Sequence, residues 1–342
     1  WDQADMGMGA PMRSGYLGPV FERVAQRATV FSADCTAFDA NVPPVVFKIL
    51  TRLGELGVAD GGVPMVANVL RAKYLAMQNA VIVDLPSGKV IPKQRGGGTG
   101  QSATSWDNHW AMRAVMMMVW SVATGKPPGD FYLTNTVHNT GDDNIWGTDD
   151  DIDPDELARI AREWLGLTIR VEGRGDITDL SYLGKVPTPS EALRESSRLP
   201  ELPKYVARPL RSQFLLRRSA IVSRFSGLPS RKYHEKLVER DIGHLQGTAF
   251  DHELFSLVLR EYMEDAAEYL GVGPALIWRI KAGPSGLIEA VSPRLAKGTR
   301  LSRAQQAAWD KLTTTMKAPT YQEVIGRDVT PAGKPASESK FA

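Results

Sequence analysis

The stretch "DFYLTNTVHNTGDDNIWG", residues 130–147, carries two apolar runs on either side of Gly141-Asp142-Asp143. Gly supplies a positive φ and Asp bonds its own backbone, so the tripeptide suits a hairpin tip joining two strands. A Gly-Asp-Asp turn alone is common. The constraint lies in the two adjacent carboxylates, which repel each other unless a cation neutralises them. Holding two divalent ions takes carboxylates from separate chain segments, bridging the ions from opposite sides. A second acidic segment is therefore expected at another strand end.

"SADCTAFDANV" supplies it: a buried-strand pattern, "ATVFSAD", ends at Asp34, and Asp39 follows five residues later. A third element is the glycine-rich loop "RGGGTGQS", which opens the long helical pattern "ATSWDNHWAMRAVMMMVWSVATG". Gly100, Thr104 and Asn108 are four apart and share one helix face. The glycines allow close backbone approach to a ligand, while a hydroxyl and an amide one turn apart suit sugar hydroxyls.

These residues resemble the palm of a viral RNA-dependent RNA polymerase. Asp34 with Asp39, then Gly100, Thr104 and Asn108, then Gly141-Asp142-Asp143 match three family motifs in order and spacing. Weaker matches are the helix expected from Pro154 to Gly166, announced by Asp153 as cap and Pro154 at its first position, and "SYLGK" at Ser181 to Lys185, similar to the hairpin that grips the primer. The resemblance implies an α+β fold: a right-hand polymerase palm, an antiparallel sheet flanked by helices, followed by an all-helical thumb. The expected divisions are a short fingers remnant at 1–28, a palm at 29–190 with a partly fingers-like insertion at 43–95, a helical thumb at 191–329 and a disordered tail at 330–342.

Carried over, the resemblance makes Asp34, Asp142 and Asp143 the catalytic, metal-binding aspartates, with the Cys35 carbonyl as a further ligand and two Mg²⁺ or Mn²⁺ ions as cofactors. Asp39, Gly100, Thr104 and Asn108 would bind the nucleotide ribose. Template and product RNA and nucleoside triphosphates are the implied partners. A reverse transcriptase would share the aspartates, but Asp39 and Asn108 argue for ribonucleotides; the alternative of another class is a non-catalytic RNA-binding or scaffolding subunit of a replicase.

Three departures from the family pattern stand out. Thr99-Gly100 replaces the usual Ser-Gly. No lysine lies between Leu167 and Asp176 to protonate pyrophosphate; Arg170 or Arg174 could stand in electrostatically, although arginine does not readily release a proton. Only 33 residues precede Asp34, where the family carries a long fingers region, and Arg13, Arg23 and Arg27 are too few to replace it. The expectation is a fragment or a second polypeptide that supplies the fingers.

Net charge, +2 over 342 residues, conceals an uneven distribution. Residues 142–156 hold eight acids and no base, whereas 201–240 hold ten bases against three acids. The basic segment is expected to contact RNA phosphates, with Arg217, Arg218 and Arg224 as RNA-binding residues alongside Lys185 of "SYLGK"; Lys93 and Arg95 read as template or nucleotide phosphate contacts, with a solvated loop the close alternative. Asp149 to Asp155 read as a solvated acidic loop. Met116 to Met118 and Trp106, Trp110 and Trp120 read as helix core, and His109 and His138 as packed, hydrogen-bonded residues. A single cysteine excludes an intramolecular disulfide, and the five histidines lack zinc-ligand spacing. No apolar run reaches about 18 residues, so no membrane segment is expected, and the implied location is host cytoplasm or virion, not secretion.

Overall fold

The computed structural model describes residues 17–59, 64–97, 104–191, 203–282 and 288–318. Gly98, Thr99, Gly100 and the 330–342 tail lie outside them. Two compact units are present: Arg23–Leu183, and residues 17–22 with 184–318.

The chain enters through α1 (Leu17–Val24). The first unit then runs β1 (Thr29–Cys35), α2 (Phe38–Asn41), α3 (Pro44–Ala59), α4 (Pro64–Gln78), β2 (Val81–Asp84), β3 (Lys89–Pro92), α5 (Thr104–Thr124), α6 (Phe131–Thr134), β4 (Asn135–Thr140), β5 (Asp143–Thr148), α7 (Pro154–Ile160) and β6 (Ile169–Arg174). Four strands form one sheet in the order β4-β5-β1-β6, and every neighbouring pair is antiparallel. β1 is central, and its β-branched and aromatic residues Val30 and Phe31 are buried. Phe31, Val137 and Trp146 from the sheet share a core with Phe47 and Leu50 of α3, Met112, Val115, Val119 and Trp120 of α5, and Leu157 and Ile160 of α7. Met112, Met116 and Trp120 of α5 are core and Met117, Met118 and Trp110 pack against it partly exposed, as the sequence indicates, while the Trp106 side chain lies outside what the structure describes.

Helix ends follow their local chemistry. The Asp153 side chain accepts from the Asp155 amide, with Pro154 at the first turn of α7. The helix continues through a π-type turn, 161–165, before Gly166 ends it at φ 64°. Between Phe131 and Thr134 the chain forms a short helix where the sequence pattern predicts an extended run, and strand begins only at Asn135. β6 completes the sheet from "IRVEGR", whose alternating burial, with Arg170, Glu172 and Arg174 outward, is that of an edge strand.

The second unit contains β7 (Lys185–Pro189), β8 (Tyr205–Pro209), α8 (Arg211–Phe225), α9 (Ser230–Gly247), α10 (His252–Leu270), β9 (Leu276–Ala282), β10 (Ile288–Leu295) and α11 (Arg303–Thr314). Its core joins Val238 and Leu245 of α9, Val258, Leu259 and Tyr262 of α10, Leu276 of β9, Val291 of β10 and Leu312 of α11. α8 to α11 are helical, but the expected all-helical thumb is corrected: β7 pairs with β8 and β9 with β10, both antiparallel. Residues 276–282, "LIWRIKA", combine β-branched and aromatic side chains, which fit a pleated, half-buried surface better than a helix.

Candidate active site

The site assembles at one end of the four-stranded sheet. Ala33 of β1 pairs with Asn144 of β5, so Asp34 and Asp143, the next residue outward on each strand, become neighbours on adjacent strands. Thr140 pairs with Asp143 across the β4–β5 turn. Gly141, at φ 65°, makes the reversal and leaves Asp142 at the tip.

Electrostatics report the crowding. Burial raises the Asp142 carboxyl above its ordinary range, and the charges of Asp34 and Asp39 add to the effect. Burial pushes Asp143 up to about 7, with Glu172, Asp34 and Asp142 contributing repulsion against one opposing bond from the Leu183 amide. That amide donates to Asp143 Oδ2 at 2.9 Å, from a residue held at φ 55°. The Tyr182 and Thr140 hydroxyls are bonded at 2.9 Å, so residues 182–183 grip both sides of the tip. Burial, then Asp142 and Asp34, push the Cys35 thiol up to about 12, leaving it a neutral thiol at the end of β1.

Arg170 lies directly across from Asp34 in the β1–β6 register and meets Asp34 Oδ2 at 3.5 Å. Arg174 is occupied elsewhere, with Asp153 at 3.3 Å and Asp155 at 3.1 Å. Of the two arginines offered as stand-ins for the absent lysine, Arg170 faces the aspartates.

Asp39 sits in the first turn of α2, which starts after Ala37 at φ 49° and is anchored by buried Phe38. The Gly96 amide donates to Val42 O at 2.8 Å and the Gly97 amide to Asp39 O at 2.6 Å. A Cβ on Gly97 would lie 3.7 Å from Asp39 O and 3.8 Å from Asn108 Oδ1. The Asp39 backbone carbonyl and the Asn108 side-chain amide therefore approach the same glycine, although 69 positions separate them in sequence (108 − 39). Thr104 opens α5. Sequence pattern does not single out Gly96, yet at φ 89° it has no room for a side chain, since a Cβ would stand 2.5 Å from Ala40 O. Its signal is the glycine run itself, which begins one residue after Arg95.

The remaining candidates divide. Lys93 donates to Gly97 O; burial lowers its pKa against a raising influence from Asp39. Arg95 caps the end of the α7 segment through the Leu165 and Gly166 carbonyls. In the second unit Arg217 and Arg224 are exposed. Arg218 is instead buried, its side chain 8% exposed, paired with Asp241 and Glu261. Lys185 donates to Gly247 O at 2.7 Å, and burial, then Arg217, push it down to about 8.

Asp34, Asp142 and Asp143 are hard oxygen donors of the kind Mg²⁺ and Mn²⁺ take, and their mutual repulsion is what a divalent cation would relieve. Among the described residues no three His, Cys, Asp or Glu side chains close around a single point as they stand. The donor chemistry fits such ions, with the carboxylates open rather than gathered.

This sheet, with its acidic hairpin and flanking helices, has the fold of a viral RNA-dependent RNA polymerase. The "Sicinivirus 3Dpol RNA dependent RNA polymerase" structure superposes with a TM-score of 0.53 at 15% identity, over 79% of this chain and 53% of that one. In sequence the chain is similar to the ORFB polyprotein of Cryphonectria hypovirus 1: 33% identical over 201 residues in strain EP713 and 30% over 266 in strain Euro7. These matches span 51% and 68% of this chain but only 6% and 8% of the polyproteins. No family model matches. No described helix is long and apolar enough to cross a membrane.

Proposed function

We propose that this chain is an RNA-directed RNA polymerase that adds ribonucleotides to a growing strand on an RNA template. The observation that carries the reading is the convergence of Asp34, Asp142 and Asp143 at one sheet end, where burial and like charge raise the pKa of Asp142 and Asp143. A fold gains nothing in stability from such repulsion. Asp34, Asp142 and Asp143, with the Cys35 carbonyl, would hold two Mg²⁺ or Mn²⁺ ions. When bound, such ions lower the pKa of an attacking hydroxyl and neutralise a triphosphate.

The chain's own residues supply the rest. Asp39 and Asn108, meeting at Gly97, read the ribose 2′-hydroxyl, and Thr104 lies one turn before Asn108. Arg170 is an always-charged counter-ion close to Asp34, placed to receive negative charge from the departing pyrophosphate. In the second unit, exposed Arg217 and Arg224 contact RNA phosphates without sequence preference.

RNA synthesis on a homopolymer template with Mg²⁺ or Mn²⁺ tests the reading, using this chain alone and with co-expressed viral proteins. Synthesis that Asp142→Asn reduces by several orders of magnitude is the expected result. Synthesis unchanged by Asp142→Asn would overturn the assignment and favour a non-catalytic scaffold. Full activity of this chain alone would remove the need for a separate fingers polypeptide.

A further inference from the structure

Asn139 precedes the acidic tip by two residues and is fully buried. All of its polar groups beyond the strand ladder are engaged with α5 or with the tip. Its Nδ2 donates to His109 O at 2.9 Å and to Gly141 O at 3.2 Å. Its Oδ1 accepts from Arg113 Nε at 3.1 Å. Its backbone carbonyl meets His109 Nδ1 at 2.9 Å; a carbonyl only accepts, so Nδ1 carries the proton. Rotating the amide by half a turn would aim an N–H at Arg113 and a carbonyl at two carbonyls, so a single orientation survives.

Asn144, the cross-strand partner of Asn139, is 3% exposed and donates to Asp142 O at 3.0 Å. The two asparagines tie the carbonyls of Gly141 and Asp142 from opposite strands. Arg113 continues the network on α5: its guanidinium lies 5.7 Å over the Tyr132 ring and bonds the Tyr132 hydroxyl at 3.3 Å. One helix position before His109 stands Asn108.

We propose that Asn139, with His109 and Arg113, is a positioning residue that fixes the α5 amide of Asn108 relative to the Gly141–Asp143 tip, so that choice of nucleotide sugar depends on a buried lock that touches no nucleotide. The proposal rests on the polymerase reading of the site. The physical reason is that a hydroxyl is recognised only if the groups reading it stand in fixed register with the reacting centre, and a displacement of about 1 Å costs on the order of 100-fold in rate. Apolar burial between α5 and the sheet is non-directional and does not by itself single out one orientation of the polar groups. Two reciprocal hydrogen bonds between His109 and Asn139 do set it, since leaving either group buried and unpaired is penalised.

The test uses the full chain with Asn139→Ala and His109→Phe; the second keeps an aromatic ring and the native asparagine should the first fail to fold. Hydrogen exchange read by mass spectrometry should show amides of both 104–113 and 139–148 exchanging about tenfold faster or more, the size of one lost buried hydrogen bond, with 252–270 unchanged. Acceleration confined to 139–148 would overturn the lock, whether or not the chain makes RNA. In RNA synthesis, the preference for ribonucleotide over 2′-deoxyribonucleotide triphosphate should fall about tenfold or more, while Asn144→Ala lowers kcat without changing that preference. An unchanged sugar preference in an active Asn139→Ala enzyme would overturn the sugar-selecting role. A parent chain inactive under every condition would count against the polymerase reading, and the exchange data would still decide the lock.

Discussion

By sequence alone Asp150 belongs to a solvated acidic loop, and its surroundings predict a large stability effect instead. Its side chain is 7% exposed and pairs with Lys126 at 2.5 Å. Trp120 Nε1 and the Thr134 hydroxyl donate to Oδ2 at 2.7 and 2.6 Å. Burial alone would raise its pKa, but the bonds from Lys126, Thr134 and Trp120 outweigh it and hold the carboxyl below the ordinary range. Asp150→Ala strands the indole N–H of Trp120, which is 0% exposed, at about 1–3 kcal/mol. The Thr134 bond to a charged acceptor adds about 1.5 kcal/mol, and the Lys126 pair, on a side chain 46% exposed, adds about 0–1 kcal/mol. The expected loss is about 2.5–5.5 kcal/mol, or about 10 °C at the centre of that range in the melting of a unit this size. Asp150→Asn keeps an acceptor for Trp120 or Thr134 and should lose about half as much, because neutral hydrogen bonds are roughly half as strong. A group with a depressed folded pKa stabilises above its unfolded pKa and loses that contribution as pH falls through the folded value. The stability gap between the parent and the Asp150→Asn protein should therefore close on acidification. Guanidinium unfolding followed by tryptophan fluorescence between pH 7 and 3 measures all three. An Asp150→Ala protein within about 0.5 kcal/mol of the parent, the range of ordinary surface substitutions, would refute the reasoning.

Further substitutions separate roles that sequence alone merges. Gly96→Ala forces a side chain against the Ala40 carbonyl at positive φ, so about 1–3 kcal/mol of strain is expected, together with a weaker ribonucleotide preference as Asp39 shifts; unchanged unfolding and unchanged sugar preference would count against it. Arg218→Met leaves Asp241, 0% exposed, without its cation and should destabilise the second unit by about 3–5 kcal/mol. Arg217→Ala and Arg224→Ala should leave stability alone and each flatten the salt dependence of RNA affinity by about one unit of slope. Filter binding across salt concentrations, beside chemical unfolding, distinguishes the two behaviours.

What is legible in the sequence is what local pattern dictates. The strand ending at Asp34, the hairpin around Asp142, the 21-residue α5 and the capped α7 each announce themselves within about ten residues, through period, turn residues or a cap. β6 does not, because "IRVEGR" puts a charge at every second position and a glycine near its end; it becomes a strand only by pairing with β1. Tyr205–Pro209 merges into a helical pattern for a similar reason, as its strand character depends on β7. Asn139 and His109 are invisible as partners because 30 residues separate them, and neither residue type advertises a lock. Arg218 looks like its neighbour Arg217 because a basic run does not say which cation faces inward.

The tip that first constrained the fold also gives a test of whether it exists for the fold's sake. Asp143 is pushed up by burial and by three neighbouring carboxylates, Glu172, Asp34 and Asp142, and what opposes them is a backbone amide whose bond an asparagine oxygen would also accept. Removing the charge while keeping the shape should therefore stabilise the chain when no divalent ion is present. Each pKa unit of relieved repulsion corresponds to about 1.4 kcal/mol, so Asp143→Asn in chelator should unfold at measurably higher denaturant. Adding Mg²⁺ or Mn²⁺ should then stabilise the parent and not the variant, since only a ligand of the native state raises its stability, and RNA synthesis should be lost in the variant. An Asp143→Asn protein less stable than the parent in chelator would mean that the carboxylate is a structural partner, and the link from repulsion to metal binding would fall with it.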